Sequence, residues 1–248
     1  MSFIDVFREE RYYCNHFFRL LCHTEGEAQV GLTRVLKSLQ LDTVEAYPAD
    51  VLTEVAALRD VFFHNQNKDH LLECIYDLFL PLIEPQYNGL ITHPIRPRDI
   101  RDRIGQVHPS KYGDEVREPL FERSDVLFYR EFGALFNAKP DFLVLIPKMA
   151  LWFEAKVESS FSATQINRMR NIASLCASQL LHHYFDTRQP ALILLGSASR
   201  HRQAKRIQQT TFLSWGTCAE IALSLYGSND ISVAAFQRAE RGLSLQPN

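Results

Sequence analysis

Long hydrophobic runs are missing from this sequence. A helix needs roughly 20 consecutive apolar residues to cross a bilayer, and the longest apolar stretches, such as 142–147 and 192–195, are far shorter. A signal peptide is not indicated either, because Asp5, Arg8 and Glu9 lie where its apolar segment would fall. We therefore expect a cytoplasmic protein without a membrane-spanning segment.

Cysteine is scarce, and its five residues are scattered along the chain: Cys14, Cys22, Cys74, Cys176 and Cys218. No two have the short spacing of a structural zinc site, and an odd number does not suit a disulfide framework. The sequence also lacks a glycine-rich phosphate loop, an HExxH pair and a GxSxG nucleophile elbow. These absences argue against a disulfide-bonded secreted domain, a nucleotide-driven enzyme and an α/β-hydrolase.

An excess of either charge is lacking as well, since 27 basic and 29 acidic residues give a net charge of −2. This balance argues against binding nucleic acid through a basic field over the whole surface, although it allows a local basic groove. What is abundant is apolar residues, at 46% of 248 positions. Such a composition excludes a disordered chain and supports a sizeable hydrophobic core.

The spacing of apolar residues predicts an α/β fold for residues 1–248. Helices are predicted for 1–22, 49–63, 69–83, 162–184 and 204–226. Strands are predicted for 125–132, 141–146, 151–157 and 191–196. The predicted order is thus a helix, a three-stranded antiparallel hairpin unit, a helix, a strand and a helix around a mixed central sheet. Between 81 and 119, frequent prolines indicate an irregular excursion from this order.

The residues that suggest chemistry lie at the ends of two successive predicted strands. Asp141 opens the strand 141–146, while Glu154 and Lys156 share one face of the strand 151–157. A turn at residues 147–149 would place Asp141 opposite Lys156, with Glu154 diagonal to it. Two carboxylates so close repel one another unless a cation lies between them, and oxygen ligands favour Mg²⁺ or Mn²⁺. The alternative is an ordinary acid–lysine pair at a sheet edge.

These residues resemble a known signature. Pro140-Asp141, 12 intervening residues and then Glu154-Ala155-Lys156 are similar to the motif of the PD-(D/E)XK (restriction-endonuclease-like) nuclease superfamily. The resemblance covers 1–21 and roughly 124–226, and it makes 39–123 a helical or irregular insertion. It implies that Asp141 and Glu154 bind Mg²⁺ or Mn²⁺ with the Ala155 carbonyl as an extra ligand. Lys156 would position or activate the attacking water.

The reaction implied by the resemblance is hydrolysis of phosphodiester bonds in DNA by an endonuclease, of a restriction or phage-defence kind. An RNA-cutting or repair nuclease with the same core is an alternative. So is a non-catalytic interaction module that keeps the nuclease fold. A homodimer, or a partner protein docked on 39–123, would be compatible with either activity, and no membrane partner is expected.

In many members of the superfamily, a glutamate from the helix before the first strand is an additional ligand of the metal ion. Here the helical wheel favours Glu10 over Glu9, because Glu10 falls at the centre of the apolar stripe. A structural salt bridge of Glu10 is the equal alternative, and Glu131 is a weaker third candidate. Gln165 opens the next helix, where some families place a glutamine near the metal; an ordinary polar residue is the alternative.

A local basic cluster follows the strand 191–196 and would bind the DNA backbone. It consists of Arg200, Arg202, Lys205 and Arg206, which we place at the start of the last helix. Arg168, on the helix after the strands with the candidate catalytic residues, is a further predicted DNA contact.

Overall fold

Five strands form one open, mixed sheet in this computed structural model, which describes residues 9–41, 49–157, 159–183, 185 and 188–242. The strands lie side by side in chain order: β1 (Asp50–Thr53), β2 (Phe142–Ile146), β3 (Met149–Ala155), β4 (Gln189–Gly196) and β5 (Thr210–Ser214). The β1–β2 and β2–β3 pairs are antiparallel, and the β3–β4 and β4–β5 pairs are parallel. The predicted α/β class with a mixed sheet is confirmed.

The helices in the described residues are α1 (Glu9–Leu21), α2 (Val30–Ser38), α3 (Ala57–His64), α4 (Lys68–Ile83), α5 (Pro97–Ile104), α6 (Tyr112–Glu115), α7 (Arg123–Asn137), α8 (Ala163–Cys176), α9 (His201–Lys205), α10 (Trp215–Tyr226) and α11 (Ile231–Glu240). Within these ranges, none combines the length and the apolar composition that a bilayer crossing requires. All five cysteines are free.

The chain divides into two compact units. The first, here called the sheet unit, takes its described residues from Met1–Glu54, Pro140–Ile166 and Arg188–Asn248. The second, the helical unit, takes them from Val55–Lys139 and Asn167–Thr187. β1 belongs to the sheet although it lies inside the segment 39–123, so that predicted insertion does not coincide with either unit.

One face of the sheet carries the core of the sheet unit. Because side chains alternate along a strand, Phe142, Val144, Phe153 and Ile193 point to the same side. There they form a buried cluster with residues of α1, α2, α10 and α11. Trp215, at the start of α10, is fully buried in this cluster and stacks on Phe236 with the ring centroids 5.8 Å apart. The core thus fixes α1 and α10 against the sheet.

The helical unit is built around α7, which replaces the strand predicted for 125–132. That prediction was wrong because the buried residues follow a helical period: Asp125, Phe128, Tyr129, Phe132, Leu135 and Phe136. Tyr76, Phe79 and Phe128 form aromatic contacts between α4 and α7. The prediction of a helix at 69–83 is confirmed by α4, whose first turn is capped by the side chain of Asn67.

Two other predicted helices are interrupted by strands. The segment 49–63 contains β1 and α3, with Glu54 between them in a left-handed conformation (φ 51°). The segment 204–226 contains the end of α9, then β5 and α10. Thr210, Thr211 and Phe212 suit a strand better than a helix, and the Ser214 side chain caps α10 by accepting a hydrogen bond from the Thr217 amide at 2.9 Å. The basic residues 200–206 therefore do not begin the long helix that was predicted.

A single carboxylate on α11 fastens two backbone segments that follow neighbouring strands. Glu240 accepts hydrogen bonds from the amides of Ala198, after β4, and Gly216, after β5, each at 2.6 Å. These are charge-assisted bonds, and each amide lies where a strand ends. Glu240 therefore holds α11 at the carboxyl ends of the parallel strands β4 and β5.

We expect Glu240→Gln to lower the free energy of unfolding by about 2 kcal/mol, because the carboxamide loses the charge and one of the two acceptors. Urea unfolding followed by circular dichroism measures the loss. Glu220→Gln is the matched control, since Glu220 is exposed on the neighbouring helix α10. Equal stabilities of the two variants would contradict this role of Glu240.

Candidate active site

Asp141, Glu154 and Lys156 meet at one end of the β2–β3 hairpin, in the sheet unit. Asp141 immediately precedes β2, Glu154 lies near the end of β3, and Lys156 follows β3 directly. Phe142 pairs with Phe153, so the same register continued by one step sets Asp141 opposite Glu154. The predicted pairing of Asp141 with Lys156 was wrong by two residues, because the turn comprises only Pro147 and Lys148. The three side chains still share one face.

Asp141 is held against the end of β3. Its Oδ2 accepts a hydrogen bond from the amide of Ala155 at 2.7 Å, and its own amide donates to the Phe153 carbonyl at 3.0 Å. Burial raises the pKa of Asp141 above its ordinary value of 3.8, against the lowering effects of the Ala155 amide and Lys156. The carboxylates of Glu10 and Glu54 raise it further. The protein therefore places a carboxylate where its charge is disfavoured.

Glu154 is almost completely enclosed, with 2% of its surface exposed. Its Oε1 accepts hydrogen bonds from Gln165 Nε2 at 2.5 Å and from Lys156 Nζ at 2.7 Å. Burial, followed by the charge on Asp141, raises the pKa of Glu154 from 4.5 to about 7, although Lys156 lowers it. Gln165, predicted as part of the site, is thus brought to it at the start of α8.

Lys156 is buried as well, and its backbone is fixed on both sides. Its amide donates to the Leu195 carbonyl at 2.8 Å, and its carbonyl accepts from the Trp215 indole Nε1 at 3.0 Å. Burial by itself would lower the pKa of Lys156, but the carboxylates of Glu154, Glu10 and Asp141 together raise it. The ammonium group is therefore charged at neutral pH.

Glu10 reaches this group from α1. Its Oε2 lies 3.5 Å from Lys156 Nζ, and its Oε1 accepts a hydrogen bond from Ser159 Oγ at 3.0 Å. The salt-bridge alternative therefore has a partner, which is a lysine of the site itself. The side chain of Glu9 lies outside the described residues. Glu131 lies on α7 in the helical unit, where Tyr87 and Arg168 occupy its carboxylate.

In the part of the chain that the structure describes, no three His, Cys, Asp or Glu side chains are arranged to hold a metal ion. The Ala155 amide donates a hydrogen bond to Asp141, and Lys156 bridges Glu154 and Glu10. The chemistry of the donors nevertheless fits a divalent cation, because three carboxylates surround one ammonium group and the pKa values of Asp141 and Glu154 are raised. The charge of the three carboxylates therefore favours a cation, although the Ala155 amide and Lys156 occupy these carboxylates in the structure.

Cys14 lies one helical turn after Glu10 on α1, close to the same carboxylates. Burial, then the charges of Asp141 and Glu10, raise the pKa of its thiol. The thiol is therefore protonated at neutral pH and is not a candidate nucleophile.

The basic cluster follows β4, the strand next to the one that carries Glu154. Arg200 ends a short 3₁₀ turn, Arg202 and Lys205 lie on α9, and Arg206 caps it. Arg202, Lys205 and Arg206 are exposed. Gln203 Nε2 donates to the Phe161 carbonyl at 3.2 Å, which links α9 to the segment between Lys156 and α8. The cluster therefore follows the carboxyl end of a strand adjacent to β3.

Arg168 has a different environment. Its Nε and Nη2 both lie 3.1 Å from Glu131 Oε2 within the helical unit. Its guanidinium group is thus engaged in an ion pair, and its role as a DNA contact stays a prediction.

Sequence reasoning missed Trp215 and the contact between Ser159 and Glu10. Trp215 is 59 positions from Lys156, and no local pattern connects the two. Ser159 and Glu10 are 149 positions apart in the sequence. Ser162, and not Ser159, caps α8 by accepting a hydrogen bond from the Gln165 amide at 3.4 Å. Comparisons with family models, with curated proteins and with solved structures find no match to this chain.

Proposed function

We propose that this chain is a divalent-metal-dependent nuclease that hydrolyses phosphodiester bonds in DNA, on a core similar to that of the PD-(D/E)XK superfamily. The observation that carries the proposal is the meeting of Asp141, Glu154 and Lys156 at one sheet end, with surplus negative charge. A buried acid pair beside a lysine is expensive to maintain for stability alone.

The order of elements supports the same proposal. Helices α1 and α2 precede β1, the strands β1, β2 and β3 are antiparallel, and after α8 comes β4, which is parallel to β3. This is the order of the superfamily core that the sequence resembles. The chain adds a fifth strand and places the helical unit largely between β1 and β2.

Each residue then has a role. Asp141 and Glu154 would hold Mg²⁺ or Mn²⁺, with the Ala155 carbonyl as an additional ligand next to the Asp141 contact. When bound, such an ion lowers the pKa of a water ligand and offsets charge on the scissile phosphate. Gln165 orients the Glu154 carboxylate through its amide. Lys156 would donate a hydrogen bond to the attacking water or to a phosphate oxygen.

The proposal is tested with supercoiled plasmid, a duplex RNA and a single-stranded RNA, each incubated with purified protein and Mg²⁺, Mn²⁺ or EDTA. We expect nicked and linear plasmid with either metal and intact plasmid in EDTA. Cleavage of RNA alone would favour the RNA nuclease. DNA binding without cleavage in any metal would favour the non-catalytic binding module.

We expect the double change Arg202→Ala and Arg206→Ala to weaken DNA binding. Each lost phosphate contact reduces the slope of log K against log salt concentration by about 0.9, so two contacts reduce it by about 1.8. Fluorescence anisotropy with a labelled duplex at several salt concentrations measures this slope. Arg98→Ala, on α5 with its side chain 77% exposed, is the control. An unchanged slope would exclude the cluster from the interface.

A further inference from the structure

The ammonium group of Lys156 lies between two carboxylates. Its Nζ is 2.7 Å from Glu154 Oε1 and 3.5 Å from Glu10 Oε2. Glu154 is 2% exposed, so its charge needs a counter-ion at close range. The Glu10 side chain is 39% exposed and is additionally held by Ser159, so its charge is solvated as well as paired. The two carboxylates therefore differ in how strongly they require Lys156.

We propose that Lys156 is an exchangeable counter-ion of the metal site and that Glu10 is its second carboxylate partner. In the metal-free protein the ammonium group neutralises Glu154. If a divalent cation took Asp141 and Glu154, Glu10 would be the carboxylate left to pair with the ammonium group. This inference rests on the proposed function and concerns the regulation of the same site. It makes Glu10 a positioning residue for Lys156 and not a metal ligand.

The backbone restricts this exchange to the side chain of Lys156. Its amide and carbonyl are anchored by Leu195 and Trp215, so the ammonium group moves by rotation about side-chain bonds. The position of the Glu10 carboxylate is equally fixed. Helix α1 is anchored by the buried Tyr13 and Phe17, and Glu10 Oε1 accepts a hydrogen bond from Ser159. A transfer of the ammonium group from Glu154 to Glu10 thus requires no change in the fold.

The ammonium group of Lys156 already occupies Glu154, at 2.7 Å. An ammonium group that occupies Glu154 competes with any second cation for that carboxylate. Entry of a divalent ion would therefore be coupled to release of Lys156, and Glu154 would keep a counter-ion until the ion arrives.

The test measures Mn²⁺ binding by calorimetry at pH 8, which needs no activity. It compares the wild type, Lys156→Met, Glu10→Gln and the double variant. We expect Lys156→Met to bind Mn²⁺ at least tenfold more tightly, because the competing cation is gone. Glu10→Gln is expected to weaken binding about fivefold when Lys156 is present, and by less than threefold in the Lys156→Met background.

An unchanged or weaker affinity of Lys156→Met would overturn the proposal. The proposal would also be overturned if Glu10→Gln lowered the Mn²⁺ affinity by the same factor, fivefold or more, with and without Lys156. That result would make Glu10 a metal ligand. If Lys156→Met does not fold, Ser159→Ala takes its place in the test, because it keeps every charge of the site. A two- to threefold weaker Mn²⁺ affinity of Ser159→Ala that is absent in the Glu10→Gln background supports the proposal. An effect of Ser159→Ala that does not depend on Glu10, or no effect, refutes it.

Asp141→Asn separates this inference from the proposed function. If the wild type binds Mn²⁺ and Asp141→Asn does not, the metal site stands whatever the Lys156 variants show. If neither the wild type nor Lys156→Met binds Mn²⁺, both proposals fail together.

Discussion

Asp141→Asn is expected to reduce metal-dependent DNA cleavage by about 10³-fold, or about 4 kcal/mol in activation free energy, while making the metal-free protein more stable. Asparagine keeps an oxygen that can accept the hydrogen bond from the Ala155 amide, so the change removes mainly the charge. The raised pKa of Asp141 means that the fold disfavours its ionised form at neutral pH. A gain in stability with a loss of activity is typical of a residue kept for function.

Plasmid cleavage rates and melting curves in EDTA measure these two effects. Asp50→Asn, an equivalent change at the exposed first residue of β1, is expected to alter neither. Both variants are purified in the same way, which also controls for a contaminating nuclease. Full cleavage activity of Asp141→Asn would remove this residue from the catalytic site.

The metal-free protein is expected to lose stability as the pH rises, because of Glu154. The pKa of Glu154 is about 7 in the folded protein and 4.5 as its ordinary value. The folded state therefore binds this proton more tightly than the unfolded state, so the stabilisation is complete below pH 4.5 and disappears as the pH passes 7. The difference corresponds to about 3 kcal/mol.

Urea unfolding in EDTA between pH 4.5 and pH 8.5 measures this dependence for the wild type and for Glu154→Gln. Subtracting the two curves removes other titrations, including His16, whose pKa is lowered and which acts in the opposite direction. We expect the free energy of unfolding of Glu154→Gln to increase relative to that of the wild type as the pH rises. Parallel curves would contradict the raised pKa of Glu154.

The catalytic candidates could be found from sequence because their geometry is local. Asp141, Glu154 and Lys156 belong to one hairpin. Side-chain alternation sets Glu154 and Lys156 on one face of their strand, and Asp141 shares that face when the turn has an even number of residues, as it does here with two. The register itself depended on that length: the predicted strands 141–146 and 151–157 leave four residues between them, whereas the structure leaves two, and this moves the partner of Asp141 from Lys156 to Glu154. Gln165 followed from the resemblance.

Other features depend on contacts between distant segments. β1 has four residues and pairs with β2, which begins 92 positions after β1 begins, so its own pattern did not indicate a strand. The strand prediction at 125–132 overlooked the recurrence of aromatic residues every three or four positions in α7. Trp215 and Ser159 reach the site only through the folded chain. Burial and long-range pairing, and not local propensity, decide these positions.

The position of Cys14 has a consequence for the reactivity of its thiol. Alkylating agents and peroxides attack the thiolate, and the pKa of Cys14 is raised by burial and by the carboxylates of Asp141 and Glu10. The acids that would attract a metal ion thus protect the neighbouring sulfur from oxidation. We therefore expect the thiol of Cys14 to react more slowly with alkylating agents and peroxides than an unperturbed thiol does.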